Sequence, residues 1–331
     1  SKVQSGEVGG ITQQIGAYFT PKDQIVNGEH LLVPGIIYCD TPGHSAFKPL
    51  RQRGIEIADV ALIIIDLMKG QIENQTIESI DMCRSLHKPF IIVLNKIDRI
   101  AGWNDEDGTV EEKLQRLAPL YNTLKQNVFS YFWEHKLNPI HYSEFTNQSD
   151  SIMYIPVSGY TKEGINNIPL QSALYCQNKL ASKITPSKEF KCVVMESKIN
   201  NRFENSIDVI LIDGSLNIGD TIGLSTTDGF KKIKIKSLLV PEIGEDMRVT
   251  KKYAALTSIS EAYGVKIPTI KIGNVIPGTQ VHKITDTDKT YECETKTITV
   301  SGEGICIFTP TIGQTESLLI TLTKKFQKIL R

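Results

Sequence analysis

Several features are scarce in this 331-residue sequence, and each shortage excludes a class of protein. Lys plus Arg and Asp plus Glu both number 37, which gives a net charge of zero, so no global field attracts the chain to nucleic acid or to an acidic membrane. The longest apolar run, from Val60 to Met68, is interrupted by Asp66 and is too short to cross a bilayer. None of the six cysteines forms a C-x-x-C pair, so we expect reduced, buried thiols in place of disulfides or zinc ligands.

The start of the sequence lacks an initiator methionine and a basic segment followed by an apolar one. It opens Ser1-Lys2-Val3-Gln4, so no secretory signal is visible there. We expect a cytoplasmic, monomeric fragment of a longer protein, with no membrane segment.

What the sequence does contain, from residue 36 to residue 157, is an alternation of short apolar runs with helix-length polar segments. Strands buried on both faces have continuous, β-branched runs, and four such runs are Ile36–Cys39, Ala61–Ile65, Phe90–Leu94 and Tyr154–Val157. Helices are predicted between them, over Asn74–Leu86 and Glu111–Trp133. The alternation predicts an α/β domain with a doubly wound, mostly parallel sheet, whose ligands bind at the carboxyl ends of the strands.

The pattern changes after Gly164. A helical stretch from Ser172 to Lys183 leads to short strands separated by turns, which predicts a β-barrel or sandwich. Asp213-Gly214 lies between two apolar runs and predicts a hairpin, because both residues tolerate the positive φ of a type I′ turn. Lysines at 231, 232, 234 and 236 partly alternate with isoleucines. They indicate a solvated sheet edge or, alternatively, a stripe that contacts RNA.

The end of the chain forms a third segment. Two predicted strands flank Ser301–Gly304, and a helix follows with Leu318, Leu322, Phe326 and Ile329 on one face. This is too little for an independent core, so we expect the start of a truncated α/β domain. The predicted domains are residues 1–184, 185–284 and 285–331.

The segment Asp40-Thr41-Pro42-Gly43-His44 directly follows the first predicted strand. In GTPases an Asp at this place holds Mg²⁺, and a Gly three residues later donates its backbone N–H to the γ-phosphate. Pro-Gly after Asp is also ordinary turn chemistry. Alone, the segment does not decide between a nucleotide site and a turn.

A second motif, Asn95-Lys96-Ile97-Asp98, follows the strand predicted to end at Leu94. A carboxylate at Asp98 can accept hydrogen bonds from N1–H and from the exocyclic amine of guanine, whereas adenine lacks this donor pattern and would leave the carboxylate unpaired. Asn95 would brace the neighbouring loops, and the stem of Lys96 would cover the face of the base. Because the motif follows a parallel-type strand, it indicates a guanine-nucleotide site.

Two further segments extend the pattern. Ser158-Gly159 follows the last predicted strand of this region, where a backbone N–H can reach O6 of guanine, and Gly9-Gly10-Ile11-Thr12 lies upstream, where a switch loop is expected. Thr12 would give its hydroxyl to Mg²⁺ and its N–H to the γ-phosphate only with GTP bound, which makes the loop an order–disorder switch. Taken singly, both segments are also what ordinary loops contain.

In this order, the four elements are the later GTPase motifs, and the segments around them resemble eukaryotic and archaeal initiation factor 5B, a family of translational GTPases related to bacterial initiation factor 2. The resemblance covers nearly the whole chain. Its segments are Gly9–Ala17, Asp40–Phe47, Leu50–Gly54, Gln75–Ile80, Lys88–Trp103, Ile207–Ile222 and Thr311–Leu319.

The resemblance implies a P-loop-type GTPase domain that binds GTP or GDP with Mg²⁺, with room for a monovalent cation. Thr12 and Asp40 would hold the Mg²⁺, and His44 would position the attacking water once the ribosome moves it inward. The implied partners are both ribosomal subunits with their rRNA, other initiation factors, and initiator tRNA through a C-terminal domain outside this chain. The GTP-bound protein would promote the joining of ribosomal subunits, and hydrolysis would release it.

Three features depart from the family pattern. No G-x-x-x-x-G-K-[ST] motif occurs in the sequence, so we expect the first strand and the phosphate loop to be missing. Gly159 stands where most relatives have Ala, and residues 105–150 match poorly and receive no role. If residues 1–331 are the entire polypeptide, we expect weak GTP binding and no hydrolysis.

Two alternative functions remain open from the sequence. One is a fragment that docks on the ribosome or on a protein without hydrolysing GTP. The other is a different translational GTPase, such as an organellar initiation factor. The residues upstream of Ser1 would distinguish the first alternative, since a phosphate loop there restores the enzyme.

Overall fold

The computed structural model describes the greater part of the chain, namely residues 12, 15–146, 151–181, 189–198, 205–241, 253–260, 262–269, 272–285 and 317–322. The chain forms two compact units. The antiparallel unit comprises Ser1–Thr20, Ile37–Ile57 and Thr185–Arg331, and the parallel-sheet unit comprises Pro21–Ile36 and Ala58–Ile184. The change of unit after Ile184 lies at the predicted boundary, whereas two N-terminal segments group with the antiparallel unit in place of the predicted 1–184 domain. The domain boundaries stay a prediction.

The elements before the boundary follow the predicted alternation of strands and helices. In chain order they are β1 (Gly16–Pro21), β2 (Gly35–Asp40), α1 (Lys48–Ile57), β3 (Ala61–Asp66), α2 (Asn74–Ser85), β4 (Phe90–Asn95), α3 (Val110–Arg116), α4 (Ala118–Glu134), β5 (Asn138–His141), β6 (Ser151–Val157) and α5 (Asn167–Lys179). Strands β3, β4, β6 and β5 form one sheet in that spatial order, and each neighbouring pair is parallel. The parallel sheet is confirmed for three of the four predicted strands. The fourth, predicted at Ile36–Cys39, is β2, which pairs with β1 in a separate two-stranded sheet.

The apolar runs of β4 and β6 form the two central strands of the sheet, and both faces of these strands are covered. All of β6 is buried, as is β4 up to Leu94. Ile91, Val93 and Ile155 belong to one core cluster that also includes Tyr175 of α5. Continuous apolar strands are typical of parallel sheets covered on both faces.

The predicted helix Glu111–Trp133 is wrong in one respect, because the structure divides it into α3 and α4. Pro119 lies in the first turn of α4, where its missing N–H does no harm, whereas within a continuous helix it would break a backbone hydrogen bond. Helix α3 begins at a capping box in which Thr109 and Glu112 exchange hydrogen bonds with each other's backbone, as this pattern favours.

The antiparallel unit contains the remaining strands around one core. They are β7 (Lys191–Lys198), β8 (Asn205–Asp213), β9 (Ser215–Asn217), β10 (Thr221–Thr226), β11 (Gly229–Lys234), β12 (Leu238–Pro241), β13 (Tyr253–Leu256), β14 (Ser258–Ser260), β15 (Tyr263–Thr269) and β16 (His282–Lys283). Their sheet orders are β13-β12-β15-β8-β7, β11-β10-β16 and β14-β9. The segment from Asn274 to Lys283 bonds to both β7 and β10, so it joins the two larger sheets.

The predicted hairpin at Asp213-Gly214 is wrong. Gly214 does adopt a positive φ of 86°, but β8 and β9 belong to different sheets, so the residue turns the chain from one sheet into another. A Cβ at Gly214 would lie 3.2 Å from Cα of Phe190, which explains the need for glycine. The two-residue hairpin is instead at Thr227-Asp228, closed by the pair Thr226 and Gly229.

The lysine-rich strand β11 lies at the edge of its sheet and pairs only with β10 among the described strands. Lys232 and Lys234 are exposed, as the solvated-edge interpretation expects. Of the third predicted domain, residues 317–322 are helical, and the two predicted strands lie outside the described residues.

The cysteines that the structure describes are free thiols, at positions 39, 83, 176 and 192. Burial raises the pKa of Cys39 and Cys176 to about 12 and that of Cys83 to about 11, so these thiols stay protonated at neutral pH. No helix in the described ranges is long and apolar enough to cross a membrane.

Strand β1, strand β2 and helix α1 share an apolar surface with the β7–β8 pair. Leu50 of α1, Ala17 of β1, Met195 of β7 and Ile210 of β8 form one buried cluster, and Ile37 of β2 packs against it. This cluster explains why residues 37–57 group with the antiparallel unit.

Replacing Leu50 with Ala should destabilise the antiparallel unit by about 2–5 kcal/mol, since a large-to-small change at a closed core site leaves a cavity. Leu50 is 0% exposed, whereas Leu32 is 83% exposed, so Leu32→Ala is the matched control and should change stability by about 0.5 kcal/mol or less. Chemical denaturation measures both variants. If both variants changed the free energy of unfolding by the same small amount, α1 would not be packed in this core.

Candidate functional site

The carboxyl ends of three neighbouring strands meet at one edge of the parallel sheet. Asp66 at the end of β3 is in register with Asn95 at the end of β4, and Asn95 is in register with Val157 at the end of β6. The loops that follow β4 and β6 contain four of the predicted site residues in addition to Asn95. Their polar groups bond to one another.

Asn95 links the loops after β4 and β6. Its Oδ1 accepts the backbone N–H of Gly159 at 2.9 Å and that of Lys96 at 2.8 Å. The predicted bracing by Asn95 therefore has a physical basis. A Cβ at Gly159 would meet Asn95 Oδ1 at 3.5 Å, an ordinary contact, so the site has room for the alanine that the resemblance leads us to expect at this position.

Lys96 adopts a strained backbone conformation, and its side chain forms an ion pair. Its φ is +73°, which costs a non-glycine residue about 1 kcal/mol, and its Nζ lies 2.7 Å from Oδ2 of Asp66. Asp66 also accepts the N–H of Met68 at 3.0 Å. The sequence analysis did not identify Asp66 as a site residue, although it is the first polar residue after a buried apolar run.

Asp98 and Ser158 form the shortest of these contacts. The Ser158 hydroxyl donates to Asp98 Oδ1 at 2.6 Å, while Ser158 Oγ accepts the N–H groups of Thr161 at 3.0 Å and Tyr160 at 3.2 Å. Ser158 is 0% exposed. Since each carboxylate oxygen has two acceptor positions, Asp98 retains acceptor capacity for a ligand.

The backbone N–H groups predicted to reach guanine O6 already have acceptors. Ser158 N–H donates to the Glu163 carbonyl at 2.9 Å, and Gly159 N–H donates to Asn95. A base that contacts Gly159 would therefore have to share this donor with Asn95 or replace it.

The loop after β6 is fixed by the Glu163 carboxylate, which the sequence analysis missed. Oε2 accepts Trp103 Nε1–H at 2.9 Å and the Thr161 hydroxyl at 2.6 Å, and Oε1 pairs with Lys113 at 2.9 Å. Lys113 lies within residues 105–150, to which the sequence analysis could assign no role. Its Nζ also lies 5.2 Å from the ring centre of Trp103.

The remaining predicted residues belong to the antiparallel unit. Asp40 is exposed at the end of β2, Gly43 and His44 are exposed in the loop that follows, and Thr12 is partly buried. His44 Nδ1 accepts the N–H of Ala46 at 3.1 Å. Among the described residues, no group of three or more His, Cys, Asp or Glu side chains could hold a metal ion.

The sequence profile of the elongation factor Tu GTP-binding domain matches residues 2–212, more than half of the chain. The chain belongs to this GTP-binding family. Membership of this family supports a guanine nucleotide as the ligand class.

The individual proteins that are similar to this chain include translation initiation factors. Eukaryotic translation initiation factor 5B of Dictyostelium discoideum is 32% identical over 348 residues, 98% of this chain and 33% of that protein. The "Probable translation initiation factor IF-2" of Methanospirillum hungatei is 30% identical over 350 residues, 100% of this chain and 58% of that protein. The crystal structure of GDP-bound aIF5B from Aeropyrum pernix is similar with a TM-score of 0.71 and 29% identity, covering 85% of this chain and 49% of that one.

These matches confirm the predicted resemblance and do not favour the two alternatives. The chain covers 33% to 58% of the length of the two relatives compared by sequence. The roles of the individual site residues in this GTP-binding domain stay predictions, because none of the matches tests them.

Replacing Glu163 with Gln should destabilise the loop after β6, because the amide places an NH₂ donor against groups that already donate. We expect the free energy of unfolding to fall by about 1–3 kcal/mol at neutral pH, which is the cost of leaving such polar groups without hydrogen-bond partners. Glu134→Gln, at an exposed position at the end of α4, is the control and should be neutral.

The effect of Glu163→Gln should also depend on pH. Burial alone would raise the pKa of Glu163, but hydrogen bonds from Thr161, Trp103 and Lys113 lower it below its usual 4.5. A carboxylate with a lowered folded-state pKa stabilises the fold above the unfolded-state pKa and loses this contribution as pH falls through the folded-state pKa. Urea titrations should therefore show the difference from wild type shrinking below about pH 4.5. A difference that is constant with pH would contradict this role of Glu163.

Proposed function

We propose that this chain is the guanine-nucleotide-binding part of a translation initiation factor that hydrolyses GTP on the ribosome. Asp98, Ser158 and Gly159 would bind the base, with Asn95 and Lys96 supporting it. Thr12, Asp40 and Gly43 would bind the phosphates with their Mg²⁺. The family match and the similarity to initiation factors support the proposal.

The observation that carries the proposal is the Asp98 carboxylate, held by Ser158 at 2.6 Å at the carboxyl edge of a parallel sheet. Guanine offers two adjacent N–H donors to one carboxylate, so a carboxylate held in one orientation can bind both. Holding it before the ligand arrives lowers the ordering cost of binding. Adenine would leave the carboxylate unpaired, which gives strong discrimination.

The residues proposed to bind the phosphates would suit a small, hard cation. Mg²⁺ prefers oxygen ligands, keeps several waters and uses one or two carboxylates together with phosphate oxygens. The exposed Asp40 carboxylate and the Thr12 hydroxyl are ligands of this kind. When bound, Mg²⁺ would neutralise charge on the β- and γ-phosphate oxygens.

His44 would position the water that attacks the γ-phosphate. Because Nδ1 accepts the Ala46 N–H, the neutral ring carries its proton on Nε2. The exposed Nε2–H is then the group available to bind water. Its edge contact with Phe47, at 6.2 Å between ring centroids, further restricts the ring.

The partners and the location belong to the same proposal. An initiation factor would contact both ribosomal subunits, their rRNA and other initiation factors in the cytoplasm, and initiator tRNA through a domain outside this chain. GTP binding would favour subunit joining, and hydrolysis would allow a monomeric factor to leave.

Replacing Asp98 with Asn in the full-length protein should weaken GTP binding by several kcal/mol, because the amide offers a donor where guanine also donates. Xanthosine triphosphate, which has an acceptor at that position, should bind the variant better than GTP does. Isothermal calorimetry with both nucleotides measures the change. Unchanged GTP affinity would refute the assignment of Asp98.

Replacing His44 with Ala should leave GTP affinity within about twofold of wild type and abolish ribosome-stimulated hydrolysis, since a water-positioning group acts in the transition state and not in ground-state binding. Single-turnover hydrolysis on purified ribosomes is the measurement. Subunit joining should persist while release of the factor stops. Normal hydrolysis in the variant would make His44 a structural residue only.

A further inference from the structure

Arg51 is buried in α1, and one of its guanidinium nitrogens lies among three consecutive backbone carbonyls. Nη1 is 3.1 Å from the oxygen of Pro42, 3.2 Å from that of Gly43 and 2.7 Å from that of His44. Arg51 is only 5% exposed. Because a buried charge is costly without such acceptors, the three carbonyls are held facing the helix.

The direction of these carbonyls determines the direction of the N–H groups that follow them. No peptide bond in the described residues is cis, and in a trans peptide the N–H points opposite to the C=O. The N–H groups of Gly43, His44 and Ser45 therefore point away from Arg51. All three residues are exposed, and within the described part of the chain none of these N–H groups has an acceptor.

Helix α1 contacts the same loop at a second point, one turn after Arg51. Gly54 is buried, and a Cβ at this position would lie 2.5 Å from Cγ2 of Thr41. A larger residue at position 54 would therefore force the Thr41 side chain to move. Arg51 and Gly54 are three residues apart and so lie on one face of the helix.

We propose that Arg51 is a positioning residue for the γ-phosphate. It holds the loop so that consecutive N–H groups of Gly43, His44 and Ser45 are directed outward as donors, an arrangement that binds anions. Arg51 itself does not contact the nucleotide. The proposal rests on the proposed function and deepens it, because it assigns γ-phosphate binding to backbone N–H groups that a buried side chain holds in place.

The test compares the affinities of the full-length protein for a non-hydrolysable GTP analogue and for GDP by calorimetry. Arg51→Met should bind the analogue about tenfold more weakly or worse, since one hydrogen bond to a charged group is worth about that factor, while GDP affinity stays within about twofold. Arg51→Lys should recover part of the lost affinity for the analogue, because an ammonium group can donate to three carbonyls. Arg53→Met is the matched control, since Arg53 is on the same helix and 4% exposed, and it should keep the wild-type ratio.

An unchanged analogue-to-GDP ratio in Arg51→Met, or an equal loss in Arg53→Met, would overturn the proposal. Backbone NMR order parameters give a readout that needs no nucleotide. They should fall at residues 43–45 in Arg51→Met and stay unchanged there in Arg53→Met, and rigid amides in Arg51→Met would also overturn the proposal. A wild-type protein that binds neither nucleotide would instead refute the proposed function, and the order parameters would still decide the role of Arg51.

Discussion

Parallel pairing of β3, β4 and β6 is the constraint on which the candidate site depends. The register places the ends of the three strands in one row, so the loops that follow them start at the same edge. Polar groups at these strand ends and in these loops then form hydrogen bonds and an ion pair with one another. Asn95 accepts from Gly159, Asp98 accepts from Ser158, and Lys96 pairs with Asp66. The site is therefore assembled by the fold and not by a ligand.

This arrangement has an energetic consequence for binding. The Gly159 N–H and the Lys96 ammonium already have partners, so a base that uses them gains only the difference between the new and the old interactions. The Asp98 carboxylate can still accept further hydrogen bonds, so a base that binds it gains more free energy than one that binds the groups already paired. Glu163 stabilises the loop after β6 through its contacts with Trp103 and Lys113. We therefore expect base selectivity to come from Asp98, while the other groups limit how far its side chain can move.

Much of this could be predicted because strand ends and strand burial are local properties. The run Phe90–Leu94 is apolar because both faces of its strand are covered, and the polar residues just after it must lie at the carboxyl edge. The Glu163 contacts could not be predicted, since they join residues 60 and 50 positions apart. The positive φ at Gly214 was predictable, but the choice between a hairpin and a change of sheet depends on distant strands. An apolar face on α1 likewise does not reveal that Met195 and Ile210 cover it.

The central claim is that the Asp98 carboxylate recognises the two adjacent donors of guanine. Calorimetric titration of the full-length protein with GDP, inosine diphosphate and ADP tests it most directly. We predict that inosine diphosphate, which lacks the exocyclic amine, binds about tenfold more weakly than GDP, the worth of one hydrogen bond to a charged group. ADP should bind weaker by a further factor of about a hundred or more. Equal affinities for GDP and inosine diphosphate, or for GDP and ADP, would contradict the claim.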